Sequence, residues 1–180
     1  MDLHQIQVTY QPEDDRILLR VSCRADDGAL EEIRAWLTRR VVKSLWTGLL
    51  RSLDSWVKLT KPQAAHASTE ILSMEYQASV SEIKASGNFD KPFESEVDRY
   101  PFGDTPLLVT GVQFHLDAAE AIRASFSRSE QEGFEVHFSQ KAMHGFSKLL
   151  QEAADNADWE LELKMPSFAQ YDAKPQRMLN

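Results

Sequence analysis

A single cysteine, Cys23, excludes an internal disulfide, and its place in an alternating run marks it as a buried, inert thiol. The seven glycines are scattered; no Gly-x-Gly-x-x-Gly, Walker or Gly-x-Ser-x-Gly pattern occurs, so nucleotide binding and a serine nucleophile elbow lack support. None of the five histidines pairs with another His, Cys or carboxylate at the spacing of a familiar metal site. The longest apolar-rich stretch, Val41 to Val57, is broken by Lys43, Arg51 and Asp54, whereas a membrane span needs ~20 nearly uncharged residues. Met1 to Gln11 alternates polar and apolar side chains instead of following a basic patch with an apolar block, so no export signal is read there. These absences predict a cytoplasmic protein without membrane contact, cofactor or metal, and they leave an enzyme unsupported.

What is present is ordinary globular composition, with 42% hydrophobic and 27% charged residues in 180, which predicts one domain that folds alone. The net charge of −8 repels phosphate backbones and anionic lipid, so a protein partner is favoured and nucleic acid disfavoured. The charge is unevenly placed: residues 1–60 are balanced, and the acidic excess falls in residues 61–162.

Ile6, Val8 and Tyr10 alternate with Gln5, Gln7, Thr9 and Gln11, which predicts a half-buried strand over His4 to Gln11. Turn chemistry at Pro12-Glu13-Asp14-Asp15 leads to a second strand, Ile17 to Arg24, with Leu19, Val21 and Cys23 on one face. After Asp26-Asp27-Gly28, Ile33, Ala35 and Leu37 mark a third. Thr38 then caps a helix, because Val41, Val42, Leu45, Trp46, Leu49, Leu50, Leu53, Trp56 and Val57 recur at helical spacing. Beyond Lys61-Pro62 a thin stripe of Leu72, Tyr76, Val80 and Ile83 predicts a mostly exposed helix, and residues 87–106 read as an irregular connection.

The order then repeats. Leu107 to Leu116 alternates, with Leu108, Thr110, Val112, Phe114 and Leu116 on one side; Ile122, Ala124 and Phe126 mark the next strand, and Phe134, Val136 and Phe138 the one after a turn at Glu130 to Gly133. Ser139 caps a helix whose inner face is Ala142, Met143, Phe146, Leu149, Leu150 and Ala153. Thr38 aligns with Ser139, Leu45 with Phe146, Leu49 with Leu150, Val8 with Val112 and Tyr10 with Phe114. The expected fold is therefore α+β: two strand-strand-strand-helix units, antiparallel meanders with packed helices related by a pseudo-dyad, plus a connecting helix. Within the single domain 1–180, the first unit spans 3–58, the connection 59–106, the second unit 107–162 and a tail 163–180, extended or mobile from Met165 onward.

Few side chains point to chemistry. His115, Glu135 and His137 are the best metal set, but a solvated polar face explains them better, and His144, opposite the inner face of its helix, reads as exposed. The pairs Asp14-Asp15, Asp26-Asp27 and Glu31-Glu32 lie in or beside turns and read as solvated surface. One cluster is chemically pointed: Arg34 and Trp36 share a strand face, and Arg39 and Arg40 begin the following helix, whose positive dipole end favours anions. Arg34, Trp36, Arg39 and Arg40 are the candidate site for a phosphate or a partner's carboxylate. The competing reading packs Trp36 beneath the second unit and pairs the arginines with Glu31 and Glu32.

The stretches Glu32 to Arg40 and Gln140 to Leu150 resemble a group of short uncharacterised proteobacterial proteins, a likeness that implies a bacterial source and no activity. The duplicated meander-plus-helix order is similar to that of Whirly-type single-stranded nucleic-acid binders, which have four strands per unit; no residue carries over. Three readings follow: a non-catalytic protein-interaction or adaptor protein first, then a single-strand nucleic-acid binder using the Arg/Trp cluster, then a ligand binder or enzyme with a pocket between the units.

Overall fold

Alternating side chains produce strands at both ends of the chain, and periodic stripes produce helices behind them. The computed structural model describes residues 2–89, 91–94, 96–117 and 121–166. Strands β1 (Asp2–Gln11), β2 (Arg16–Arg24) and β3 (Leu30–Leu37) form an antiparallel meander in which Val8, Leu19 and Ala35 stand in one cross-strand row. Helix α1 (Arg39–Thr60) starts at Thr38, whose hydroxyl accepts the Val41 N–H at 3.4 Å. A 3-10 segment (Pro62–Ala67) leads into α2 (Ser68–Ala85). Strands β4 (Leu107–Leu108), β5 (Gly111–Asp117), β6 (Ala121–Ser127) and β7 (Gly133–Phe138) follow, and α3 (Gln140–Asn156) begins at Ser139, whose hydroxyl accepts the Ala142 N–H at 3.2 Å.

The strands make two sheets, ordered β1-β2-β3-β4 and β5-β6-β7. The α+β class and the order of strands before helices are as predicted, but β4 is not. It pairs parallel to β3, Leu107 with Ala35 and Leu108 with Trp36, and the Val109 N–H donates to Trp36 O at 3.0 Å. The expected single strand from Leu107 is thus broken at Val109 and Thr110, and its alternation changes phase there: Leu107 and Val109 are buried while Leu108 faces out. At the β6–β7 turn a Cβ on Gly133 would lie 2.4 Å from Phe126 O, so this hairpin closes only on glycine.

The helices exchange partners. α1 packs on β5, where a Cβ on Gly48 would stand 2.9 Å from the Phe114 ring, and α3 packs on β1, while α2 lies across both helices. Ile17, Leu19, Leu37, Leu45, Leu49, Phe126, Phe138 and Phe146 belong to one continuous core through both sheets and the helices. Each such side chain contributes roughly 1.5–3 kcal/mol by leaving water. Cys23 is buried in the same core. No helix among the described residues is long and apolar enough to cross a membrane.

Three expectations are corrected. His144 is fully buried, because α3 is covered on two sides, by the sheets and by α2, and Tyr76 of α2 stands edge-on to its ring at 5.9 Å. Glu31 and Glu32 are buried strand residues rather than solvated turn residues. The assigned tail begins inside the fold: Leu163 is in the core and its carbonyl accepts from Gln151 Nε2 at 2.5 Å. The extended course expected from Met165 falls, beyond Pro166, on residues 167–180, outside the described residues.

Candidate functional site

Strand alternation sends Arg16, Leu18, Arg20, Ser22 and Arg24 of β2 and Glu32, Arg34 and Trp36 of β3 to the face of the first sheet that points away from the core. Glu32, completely buried at the centre, accepts from Arg20 Nε and Nη2 at 2.7 and 3.0 Å and from Arg34 Nε at 2.6 Å. Burial alone would raise its carboxyl, but hydrogen bonds from Arg20 and then Arg34, with the charges behind them, hold it below the usual carboxylate value.

This charged cluster is buried because the connection between the units crosses it as a strap. Gln5 of β1 holds the strap at both main-chain polarities: its Nε2 donates to Pro92 O at 3.4 Å and its Oε1 accepts the Glu94 N–H at 2.9 Å. The Phe93 ring lies 4.1 Å from the Arg20 guanidinium carbon, and the Tyr100 ring lies 4.7 Å from that of Arg34. Arg34 Nη2 also donates to Tyr100 Oη at 3.1 Å and Nη1 to Asp104 O at 3.4 Å. At the edge of β3 the Glu32 N–H donates to Arg99 O at 3.0 Å, and the Leu30 N–H donates to Asp98 Oδ2 at 2.7 Å.

Past Arg34 the chain returns to the sheet edge as β4, and the next cross-strand row, Leu18, Trp36 and Leu108, is half-exposed. Arg16 lies beyond Leu18 on the same face of β2, and Arg39 and Arg40 are exposed just past the end of β3. None of these three arginines has an ion pair among the described residues. The four predicted site residues are therefore divided. Arg34 belongs to the covered cluster, Trp36 to the open row, and Arg39 and Arg40 to the rim.

The outer face of the second sheet is open and polar. His115, Arg123 and His137 occupy one row, so an arginine stands between the two histidines, and Glu135 accepts from Ser125 Oγ at 2.7 Å and lies 3.7 Å from Arg123 Nη1. The Ser125 hydrogen bond first, then the charge of Arg123, lowers the Glu135 carboxyl. Among the described residues no cluster of His, Cys, Asp and Glu is placed to hold a metal ion.

A clasp joins the units at the other end of β1. Trp159 Nε1 donates to Asp15 Oδ1 at 2.7 Å, Tyr10 donates to the same oxygen at 3.0 Å, and the two rings meet edge-on at 5.9 Å. The indole bond, followed by the phenol bond, lowers the Asp15 carboxyl, and Asp15 sits at φ 46°, in the left-handed region that Asp tolerates in turns. The pairing of the arginines with Glu31 and Glu32, weighed in the sequence, holds for Arg34 on Glu32; Arg20 and the strap aromatics were missed. The signal available was parity alone: Arg16, Arg20 and Arg24 share one face of β2, with Glu32 and Arg34 on the neighbouring strand's same face.

The chain matches no protein-family model, no curated protein and no solved structure.

Proposed function

We propose that the protein is a non-catalytic interaction protein that docks a protein partner on the part of the first sheet's outer face left open by the strap. The observation that carries this is the half-exposed row Leu18, Trp36 and Leu108, an apolar strip bounded by arginines and by the strap. Interface centres are apolar and anchored by Trp and Arg within a polar rim, and this strip has that make-up. Single-strand nucleic acid, the runner-up, would stack on the same Trp36. Against it, the row offers one ring, Arg34 is engaged by Glu32, and the chain carries a net charge of −8. The small-ligand reading finds little support among the described residues, where two cavities of about 440 and 510 Å³ are open grooves beside residues 160–166.

We also infer that the two units arose by duplication about a pseudo-dyad, a reading supported by the matching caps at Thr38 and Ser139 and by the reciprocal packing of α1 on β5 and α3 on β1.

The docking reading is tested with a photo-reactive residue placed at position 36 and, as a control, at position 113 on the second sheet's outer face. Protein adducts from native lysate at 36, absent at 113 and lost on Arg39→Glu/Arg40→Glu, are expected. Adducts to nucleic acid alone, or equal labelling at both positions, overturn it.

A further inference from the structure

Resting on that docking surface, we infer that the partner segment is extended, acidic and aromatic-bearing, and that the strap is its intramolecular counterpart.

The outer face of the first sheet is basic in an acidic protein. Among the described side chains of β2 and β3, Arg16, Arg20, Arg24 and Arg34 point there, against the acid Glu32. What already lies on this face is a non-helical segment, residues 91–94 and 96–104, that turns at Tyr100–Gly103; it carries Glu94, Glu96, Asp98 and Asp104 against Lys91 and Arg99, and its rings lie on arginines. The strap thus displays a chemistry the face accepts: an aromatic ring on a guanidinium, with main-chain groups held by an outward glutamine of β1.

The open part repeats some of these elements. Arg16 takes the place of Arg20 with Gln11 beside it as Gln7 is beside Arg20, Thr9 stands where Gln5 does, and the apolar row around Trp36 receives a ring. Arg39 and Arg40 at the rim supply positive charge for carboxylates. A segment of this kind would extend the layer the strap begins.

The test uses the full chain and a fluorescein-labelled twelve-residue peptide of alternating Glu and Phe, followed by fluorescence anisotropy at low salt. The comparison probes are Lys/Phe and Glu/Ser peptides and a dT12 oligonucleotide. The Glu/Phe peptide is expected to bind at least tenfold more tightly than any of them. Trp36→Ala should weaken binding at least tenfold. So should Arg39→Glu/Arg40→Glu, both exposed, with an unchanged urea midpoint checking that the fold beside Asp15 is kept. Phe93→Ala/Tyr100→Ala, which bares Arg20 and Arg34, should strengthen binding several-fold; unchanged affinity there overturns the strap as counterpart. Equal or tighter binding of the Lys/Phe peptide, lost with Trp36→Ala, overturns the acidic partner and leaves the docking surface standing. Tighter binding of dT12, or peptide binding indifferent to both the Trp36 and the arginine variants, overturns both.

Discussion

The first sheet buries a carboxylate, Glu32, on its outer face, whereas the second leaves His115, Glu135 and His137 of its outer face exposed, although both are meanders with a helix following the last strand. On β2 and β3, Arg20, Glu32 and Arg34 lie under Phe93 and Tyr100. On β6 and β7, Ser125 and Glu135 make a similar polar contact with no aromatic ring over it among the described residues, and Glu135 is exposed. The difference teaches that the surfaces of two alike units are set by what the connecting chain covers. An ion pair in water is worth little, but a carboxylate sealed between two arginines cannot lose a partner without leaving buried charge uncompensated.

The sharpest way to break this comparison is to neutralise the two glutamates in turn. Glu32→Gln should cost about 3–5 kcal/mol of unfolding free energy in urea titrations, while Glu135→Gln should stay within about 0.5 kcal/mol. Equal losses would mean the strap confers no special environment. The sign of the pH effect follows: Glu32 is held below its unfolded value, so its stabilisation is present above the ordinary carboxylate range and is lost as pH falls through the folded value.

The helices differ as well, since α1 buries apolar side chains and α3 also buries His144, neither of whose ring nitrogens has a hydrogen-bond partner among the described residues. Burial lowers the His144 pKa to about 4, against an opposing pull from Glu75. Between about 6.5 and 4 the unfolded chain binds the extra proton, so stability falls as pH falls through that window, by up to about 3 kcal/mol. Urea midpoints measured across that range should slope less steeply for His144→Leu than for the natural chain; identical slopes would show that the imidazole does not stay neutral in the fold.

Smaller effects sharpen the likeness of the units rather than their difference. Trp159→Phe keeps the edge-on ring but removes the bond to Asp15, for an expected loss of about 1.5 kcal/mol. Thr38→Ala and Ser139→Ala remove equivalent caps and should each cost about 1 kcal/mol. A cap loss in one unit several times that in the other, read by thermal melting, would argue against equivalent helix starts.

Much of the fold was legible because it is local. Thr38 and Ser139 mark where a period of two gives way to a period near 3.6, and both are observed N-caps. β4 was not legible, since two residues carry no period and their pairing with Ala35 and Trp36 is made only in the folded chain. His144 was misplaced because one apolar stripe was sought on α3, and a second covering helix falsifies the exposure of the opposite side. Of the candidate site, Arg34 and Trp36 were rightly placed on one strand face, but their separation into a covered and an open part depends on Tyr100 and Asp104, more than sixty residues away.

By itself the sequence determined which residues alternate, which recur by turns and where helices begin, because those properties rest on the chain's own stereochemistry and on side-chain hydroxyls a few atoms away. Only the tertiary structure decided that α1 and α3 exchange sheets, that Glu32 loses its water and that Trp36 keeps part of its own. Desolvation depends on distant segments arriving on the same face, and no local pattern encodes which of them arrives.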